Sequence, residues 1–225
     1  FMDGPRRRVR ALVLAPTREL AAQIHEAIDS LGRHTGLRSA AIFGGVGMEP
    51  QIKALRRGVE IIVACPGRLL DHMSRGNIDL SGLEALVIDE ADRMFDMGFI
   101  RDIRRIIEKL PKVRQNLMFS ATFAAEVREL AHAVLQNPAL VEVARRNAPA
   151  ELVTHSVIKV DKEQKRDLLL HLFAAHGWHQ VLVFCRTKHG SDALARKLEQ
   201  AGIRTAALHG NKSQNARTRA LADFK

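Results

Sequence analysis

The sequence predicts an α/β fold built on parallel sheets. Short apolar runs that suit buried strands alternate with longer segments of helical periodicity along most of the 225 residues. This alternation is typical of parallel strands joined by crossover helices. Around residues 145–150 the pattern lapses into Arg-Arg-Asn-Ala-Pro-Ala, which predicts a linker between a first domain, 1–147, and a second, 152–225.

The individual elements follow from the apolar runs and the helix signals between them. In the first domain, strands are expected at 9–15, 39–43, 59–64, 86–88, 116–119 and 139–143, and helices at 17–31, 48–57, after Pro66, at 99–110 and at 124–135. In the second domain, strands are expected at 153–160, 180–184 and 204–208, and helices at 162–175, 188–201 and from 213 onward.

Three carboxylates crowd the point where one of these strands ends. The apolar run 86–88 is followed by Asp89, Glu90 and, two residues later, Asp92. Open α/β sheets bind ligands at the carboxyl ends of their strands. Carboxylates this close repel one another unless a cation such as Mg²⁺ compensates them, and one could then act on a water molecule. An ordinary strand followed by an acidic helix N-terminus is the alternative, because acidic residues suit the helix dipole there.

Two arginines follow predicted strands near the start of a helix. Thr17 suits the N-cap of the first helix, but Arg18 next to it opposes the helix dipole. The turn Cys65-Pro66-Gly67-Arg68 repeats the arrangement after the third strand. Arg18 therefore hints at contact with an anion, and an exposed arginine without a role is the alternative.

The composition favours a polyanionic partner that is not recognised mainly by stacking. The formal net charge is +10, and the chain has one Trp and no Tyr, so binding that tracks a phosphate backbone is expected. The two cysteines are far apart, which indicates neither a disulfide framework nor a zinc site. His171, His176 and His179 are predicted to be surface residues rather than a metal cluster. No apolar run approaches the roughly 20 residues of a membrane span and no signal peptide opens the sequence, so a cytoplasmic location is expected, with the oligomeric state left open.

Several short motifs follow one another along the chain. They are Pro16-Thr17-Arg18-Glu19-Leu20, Gly44-Gly45, Pro66-Gly67-Arg68, Asp89-Glu90-Ala91-Asp92, Ser120-Ala121-Thr122, Val183-Phe184-Cys185-Arg186-Thr187-Lys188, Leu208-His209-Gly210, and Gln214 with Arg217. In this order they resemble the motifs of the DEAD-box family of ATP-dependent RNA helicases. The resemblance implies two RecA-like domains, ATP and Mg²⁺ as cofactors, RNA as the partner, and ATP hydrolysis coupled to RNA binding and local duplex unwinding.

The resemblance also implies roles for the carboxylates and for the segment after the fifth strand. Asp89 would hold Mg²⁺ through water, and Glu90 would polarise the water that attacks the γ-phosphate, in a reaction dominated by positioning and charge neutralisation. Asp92, Ser120 and Thr122 would couple the nucleotide state to domain closure.

RNA-backbone contacts are implied at ten further residues. In the first domain they are Thr17, Arg18, Gly45, Gly67 and Arg68, and in the second they are Arg186, Thr187, Gly210, Gln214 and Arg217. Glycine allows close approach to a phosphate, and arginine supplies a forked donor.

The departures from the family pattern concern the phosphates of ATP. The 225 residues contain neither G-x-x-x-x-G-K-[ST] nor the adenine-reading glutamine motif, and the later second-domain motifs are missing as well. We therefore expect both domains to be truncated and this chain alone to be inactive as an ATPase. Cys65 stands where the family usually has Thr, so a hydroxyl contact to phosphate is expected to be lost or weakened. A clamp that binds nucleic acid without hydrolysis is the alternative function; a haloacid-dehalogenase-type enzyme would instead require D-x-D after the strand.

Overall fold

The computed structural model describes residues 8–142 and 153–224. The chain divides into two compact units, Phe1–Arg146 and Asn147–Lys225. The linker expected at 145–150 lies outside the described residues.

The first unit is built on a five-stranded sheet in which all strands are parallel. The strands are β1 (Ala11–Leu14), β2 (Ser39–Ile42), β3 (Ile61–Ala64), β4 (Ala85–Ile88) and β5 (Gln115–Met118). Their order across the sheet is β2-β3-β1-β4-β5. Leu14 at the end of β1 is in register with Ala64 of β3 and with Ile88 of β4, so the turns that follow these three strands meet at one edge. The predicted α/β class and five of the six predicted strands of this unit are confirmed.

Helices cover both faces of this sheet. They are α1 (Arg18–Gly32), α2 (Met48–Arg56), α3 (Pro66–Ser74), α4 (Ala91–Asp96), α5 (Ile100–Ile107) and α6 (Ala125–Val134). Thr17 is the N-cap of α1, as predicted, because its hydroxyl accepts a hydrogen bond from the Leu20 amide at 3.2 Å.

The side chains of the central strand alternate between two apolar clusters. Leu12 and Leu14 belong to the larger cluster, together with buried residues of α3, α5 and α6. Val13 and Ala15 belong to the smaller cluster, which packs under α1 through Ala21. A strand exposes successive side chains to opposite faces, so β1 is covered on both sides and anchors the edge where its neighbours end.

Two expectations for the first unit need correction. Residues 139–142 form no strand, because their backbone pairs with none of the five strands and Leu140 and Val141 are largely exposed. The helix α4 was expected only under the alternative to a carboxylate site; it starts two residues after Asp89 and carries Asp92 in its first turn. The acidic helix N-terminus given as the alternative to a carboxylate site is therefore present in the same place as the crowded carboxylates.

The second unit has the predicted helices but not the predicted strands. After a 3₁₀ turn at Lys162–Gln164 come α7 (Lys165–His176), α8 (Lys188–Gln200) and α9 (Gln214–Phe224). The segments 153–160, 180–184 and 204–208 form no strand ladder with one another or with other described residues. An apolar run becomes a strand only where a neighbour supplies backbone partners, and the exposed side chains of Val157 and Phe184 (95% and 88%) lack such packing here.

The described residues contain no helix that is both long enough and apolar enough to cross a membrane. The two cysteines are free thiols, with Cys65 buried and Cys185 exposed.

Candidate functional site

The turn after β4 has an unusual backbone. The Asp89 amide donates to the Leu14 carbonyl at 3.0 Å, which keeps this residue attached to the end of β1. Glu90 then adopts the left-handed conformation, with φ +49° and ψ +54°. The chain enters α4 directly afterwards, and the Ala91 amide donates to the Phe119 carbonyl beyond β5 at 3.0 Å. A left-handed conformation is disfavoured for a residue with a side chain and is often maintained at functional sites.

The first two carboxylates differ in their exposure to solvent. Asp89 is half-buried at the strand end, and its Oδ1 accepts the Glu90 amide at 2.9 Å. Glu90 is exposed. The first carboxylate is thus fixed by the backbone while the second reaches solvent, which suits one group for orienting a ligand and the other for handling water.

The third carboxylate is tied to the segment after β5. Thr122 donates two hydrogen bonds to Asp92 Oδ2, one from its amide and one from its hydroxyl, both 2.9 Å long. In the opposite direction, the Asp92 amide donates to the Ser120 hydroxyl at 3.3 Å, and that hydroxyl donates to the Thr122 carbonyl at 2.7 Å. Asp92, Ser120 and Thr122, which the resemblance assigns to coupling between the nucleotide state and domain closure, therefore form one hydrogen-bonded unit.

This hydrogen bonding controls the charge of Asp92. Burial alone would raise the pKa of its carboxyl group, but the Thr122 hydroxyl and the amides of Arg93 and Thr122 favour the ionised form. The net result is a pKa below the ordinary value. Asp92 is therefore an anion held for structural contacts.

The described carboxylates suit Mg²⁺ only if waters and substrate phosphates supply most of its ligands. The described residues contain no group of three or more His, Cys, Asp or Glu side chains that could hold a metal ion. Mg²⁺ commonly uses one or two carboxylates and completes its octahedron with waters and substrate phosphates. The single fixed carboxylate of Asp89 fits that arrangement.

The arginines predicted to contact an anion converge on one turn at the same sheet edge. Gly45 has φ +78°, and a Cβ placed there would lie 1.9 Å from Arg18 Nη1. A Cβ at Gly44 would lie 3.6 Å from Arg18 Nη2 and 3.9 Å from Arg68 Nη2. Both guanidinium groups therefore lie against the Gly44-Gly45 backbone, and glycine at 45 is required by the backbone conformation and by the packing of Arg18.

Cys65 and Gly67 flank Pro66 at the start of α3 and differ in their surroundings. Cys65 is the N-cap of α3 but makes no side-chain capping bond. It is 8% exposed, and burial raises the pKa of its thiol to about 11, against an opposing effect of Arg18. Gly67 is half-buried in the first turn of α3, and a Cβ there would meet nothing within 4 Å. Among the described residues, no contact requires glycine at position 67.

In the second unit, three of the predicted residues lie on or beside the first turn of α8. Thr187 is the N-cap of α8, and its hydroxyl accepts the Gly190 amide at 3.0 Å. Arg186 precedes it and is exposed. A Cβ at Gly210 would lie 3.7 Å from Lys188 Nζ, so the turn containing Gly210 lies against the start of α8.

The last two predicted residues lie on one side of α9. Gln214 and Arg217 are three positions apart, and the Arg217 guanidinium donates to Gln214 Oε1. Both are half-buried. Pairing at this spacing keeps the guanidinium close to the helix surface.

Two groups of hydrogen-bonded side chains, one in each unit, were not predicted from the sequence. In the second unit, Asp192 accepts a hydrogen bond from Lys212 Nζ at 2.9 Å and is hydrogen-bonded to His209 Nε2 at 3.0 Å. These contacts lower the pKa of Asp192 to about 2, and Lys212 contributes more to this shift than His209. In the first unit, the buried His72 contacts Gln51 at 3.2 Å. Spacing along a single helix cannot reveal either group, because each joins residues from different elements. The predicted surface histidines His171, His176 and His179 are indeed exposed.

The fold and these strand-end motifs are those of the DEAD-box class of proteins. The sequence model described as DEAD/DEAH box helicase matches residues 3–130, and the one described as helicase conserved C-terminal domain matches residues 164–225. The chain belongs to the DEAD/DEAH box helicase family.

Individual proteins similar to this chain carry names from the same family. The chain is 41% identical to the DEAD-box ATP-dependent RNA helicase CshA of Streptococcus pneumoniae, over 96% of this chain and 41% of the relative. It is 42% identical to the ATP-dependent RNA helicase RhlB of Pseudomonas putida, over 96% of this chain and 55% of that relative. A crystal structure of a DEAD box protein from Methanococcus jannaschii superposes with a TM-score of 0.59 at 34% identity, covering 96% of this chain and 58% of that one. The chain thus spans about half the length of its relatives.

Proposed function

We propose that this chain is part of an ATP-dependent RNA helicase that couples ATP hydrolysis to RNA binding and local duplex unwinding. The observation that carries the proposal is the arrangement after β4, where a fixed Asp89 and an exposed Glu90 stand beside the hydrogen-bonded unit of Asp92, Ser120 and Thr122. The two units would correspond to two RecA-like domains, with boundaries close to 1–147 and 152–225.

The carboxylates would divide the chemical work. Asp89 would hold Mg²⁺ through water with the carboxylate that the Glu90 amide orients. When bound, the ion would neutralise charge on the phosphates. Glu90 would accept the proton of the attacking water, and its exposure supports that role because its carboxylate is accessible to solvent.

The Asp92 unit would transmit the nucleotide state. It joins the first turn of α4, directly behind the two catalytic carboxylates, to the segment 120–122 that follows β5. A shift of the backbone at 89–90 would therefore change the position of Thr122 through these hydrogen bonds. The ionised state of Asp92 keeps both Thr122 hydrogen bonds strong at neutral pH.

RNA would be held through its phosphates. In the first unit, Arg18 and Arg68 lie against the Gly44-Gly45 turn, where two forked cations suit an anionic backbone. Thr17 and Gly67 are the further candidates there. In the second unit, the candidates are Arg186, Thr187, Gly210, Gln214 and Arg217. The net charge of +10 supports the same partner. The cytoplasmic location expected from the sequence stays a prediction.

A chimera tests the proposal. These 225 residues would replace the matching segment of the Pseudomonas putida relative, so that the flanks of that protein complete both domains. We expect ATP hydrolysis that increases when single-stranded RNA is added and that is lost in Glu90→Gln. A chimera that binds RNA but hydrolyses no ATP, in parallel with an active parent protein, would support the non-hydrolysing clamp instead.

A further inference from the structure

The side chain of Gln51 bridges the two ends of the turn that contains Gly44 and Gly45. Gln51 lies on α2, is 6% exposed, and donates from Nε2 to the Phe43 carbonyl at 2.9 Å and to the Gly47 carbonyl at 3.5 Å. The two carbonyls stand at the two ends of the turn. Since a carbonyl can only accept, the amide nitrogen of Gln51 must face them both.

Gln51 is in turn held by a fully buried histidine. With its nitrogen committed to the turn, Gln51 presents Oε1 to His72 Nε2 at 3.2 Å. An amide oxygen can only accept, so Nε2 of His72 carries the proton. The other ring nitrogen, Nδ1, then accepts, and Asn77 Nδ2 lies 3.5 Å from it. The three polar side chains thus have one consistent set of donors and acceptors.

The ring is neutral under ordinary conditions. Burial lowers the pKa of His72, and the nearby Arg68 and Arg75 lower it further, while Asp71 opposes them. A neutral imidazole provides the single N–H and single acceptor that this arrangement uses.

The same helix touches the turn a second time, through an arginine proposed to contact RNA. Arg68 Nη1 donates to the Val46 carbonyl at 3.2 Å. Arg68 and His72 are four residues apart on α3 and therefore lie on the same side of it. One residue reaches the turn directly and the other through Gln51, so α3 and the turn are fastened at two points.

We propose that Gln51 and His72 are positioning residues of the phosphate-binding turn 44–46. They fix the carbonyls at its two ends, and this holds the Gly45 backbone in the left-handed conformation against which Arg18 packs. Without them, the turn would lose its fixed ends, and Arg18 and Arg68 would no longer present their guanidinium groups together. The inference rests on the proposed RNA-binding function and adds residues that do not touch RNA.

Salt dependence of RNA binding by the 225-residue chain distinguishes positioning from simple destabilisation. For single strands, log K changes with log salt by about −0.7 for each neutralised phosphate. Gln51→Met and His72→Leu keep the side-chain volume and remove the hydrogen bonds. We expect each to reduce the magnitude of the slope by about 0.7 to 1.4, the equivalent of one or two phosphates. The double variant should be no worse than Gln51→Met alone, because both substitutions break the same connection.

Two further variants provide the controls. His72→Gln carries an amide N–H that can reach Gln51 Oε1, and it should restore most of the slope. Ile106→Val, in the buried core of α5, should lower thermal stability and leave the slope of the folded protein unchanged.

The outcomes separate this inference from the proposed function. If Arg18→Ala and Arg68→Ala flatten the slope while Gln51→Met and His72→Leu keep the wild-type value, the positioning role is refuted and RNA binding at the turn stands. If none of the four substitutions alters the slope, the turn does not bind RNA, and both this inference and the proposed RNA contacts of Arg18 and Arg68 fail. A His72→Gln variant as impaired as His72→Leu would also contradict a positioning role for the hydrogen bond between His72 and Gln51.

Discussion

Thr122 donates two hydrogen bonds to the same oxygen of Asp92, from its amide and from its hydroxyl. The pairing joins the start of α4 to the segment beyond β5 through a carboxylate rather than through the sheet ladder. Because Thr122 is exposed and Asp92 is half-buried, the contact contributes much less to the free energy of unfolding than a buried ion pair would. Its strength should depend on the charge of Asp92.

We expect Thr122→Val to lower the free energy of unfolding by roughly 0.5–1 kcal/mol at pH 7. The pKa of Asp92 is lowered in the folded protein, so the stabilisation is complete above the unfolded-state pKa, about 3.9. It is lost as the pH falls through the lower folded-state pKa. Urea unfolding of wild type and variant at pH 7 and below pH 4 checks this. A difference that stayed constant down to the acid range would show that the hydroxyl does not act through the ionised carboxylate.

Glu90 and Asp89 should affect ATP hydrolysis in different ways. In the chimera, Glu90→Gln should retain nucleotide binding and lower ATP hydrolysis by roughly 10²–10⁴-fold, the usual loss on removing a general base. Asp89→Asn should also weaken Mg²⁺-dependent nucleotide binding. Steady-state hydrolysis and fluorescent-nucleotide titrations measure the two effects. An unchanged turnover in Glu90→Gln would remove that residue from the mechanism.

The backbone of Glu90 gives a prediction that needs no nucleotide. Its positive φ of 49° is costly for any residue with a Cβ, by roughly 1–2 kcal/mol. In the 225-residue chain, Glu90→Gly should therefore be more stable than Glu90→Ala by about 1 kcal/mol. Chemical denaturation of the two variants is the measurement. Equal stabilities would mean that the turn relaxes when the glutamate is removed.

The sequence predicted the positions of the candidate residues in the first unit better than it predicted the strands of the second unit, and the roles of those residues stay predictions. The carboxylates and the glycine-arginine turns follow short parallel strands, and parallel strands all end at one edge, so linear spacing was enough to bring Asp89, Arg18 and Arg68 to that edge. The left-handed Glu90 and the Gln51–His72 contact were not foreseen, since they depend on dihedral angles and on pairs from separate helices. The strands expected at 153–160 and 180–184 were inferred from apolar character alone, which cannot supply the backbone partners that a ladder needs.

Gly45 should tolerate no side chain. Gly45→Ala would place a Cβ 1.9 Å from Arg18 Nη1 in a backbone conformation with φ +78°, so Arg18 must move and RNA binding should weaken. Gly76→Ala is the matched control: it also has a positive φ, +65°, but its Cβ would meet nothing within 4 Å. Both variants should lose stability, and only Gly45→Ala should also flatten the salt dependence of RNA binding. Equal binding by the two variants would show that the packing of Arg18 on Gly45 is irrelevant to RNA.

If Arg18, Arg68 and Arg217 contact phosphates rather than bases, their loss should be independent of RNA sequence, because phosphates carry no sequence information. Replacing any one of them with Ala should weaken binding about equally for two unrelated single-stranded RNAs. It should also reduce the magnitude of the slope of log K against log salt by about 0.7. Arg33, which donates to Ser30 at the end of α1, is a matched control whose replacement removes the same charge away from the proposed interface. Titrations at several salt concentrations, starting at low salt, measure both quantities. A substitution that changed the preference between the two RNAs while leaving the slope intact would assign that arginine to base recognition and contradict the backbone-tracking mode.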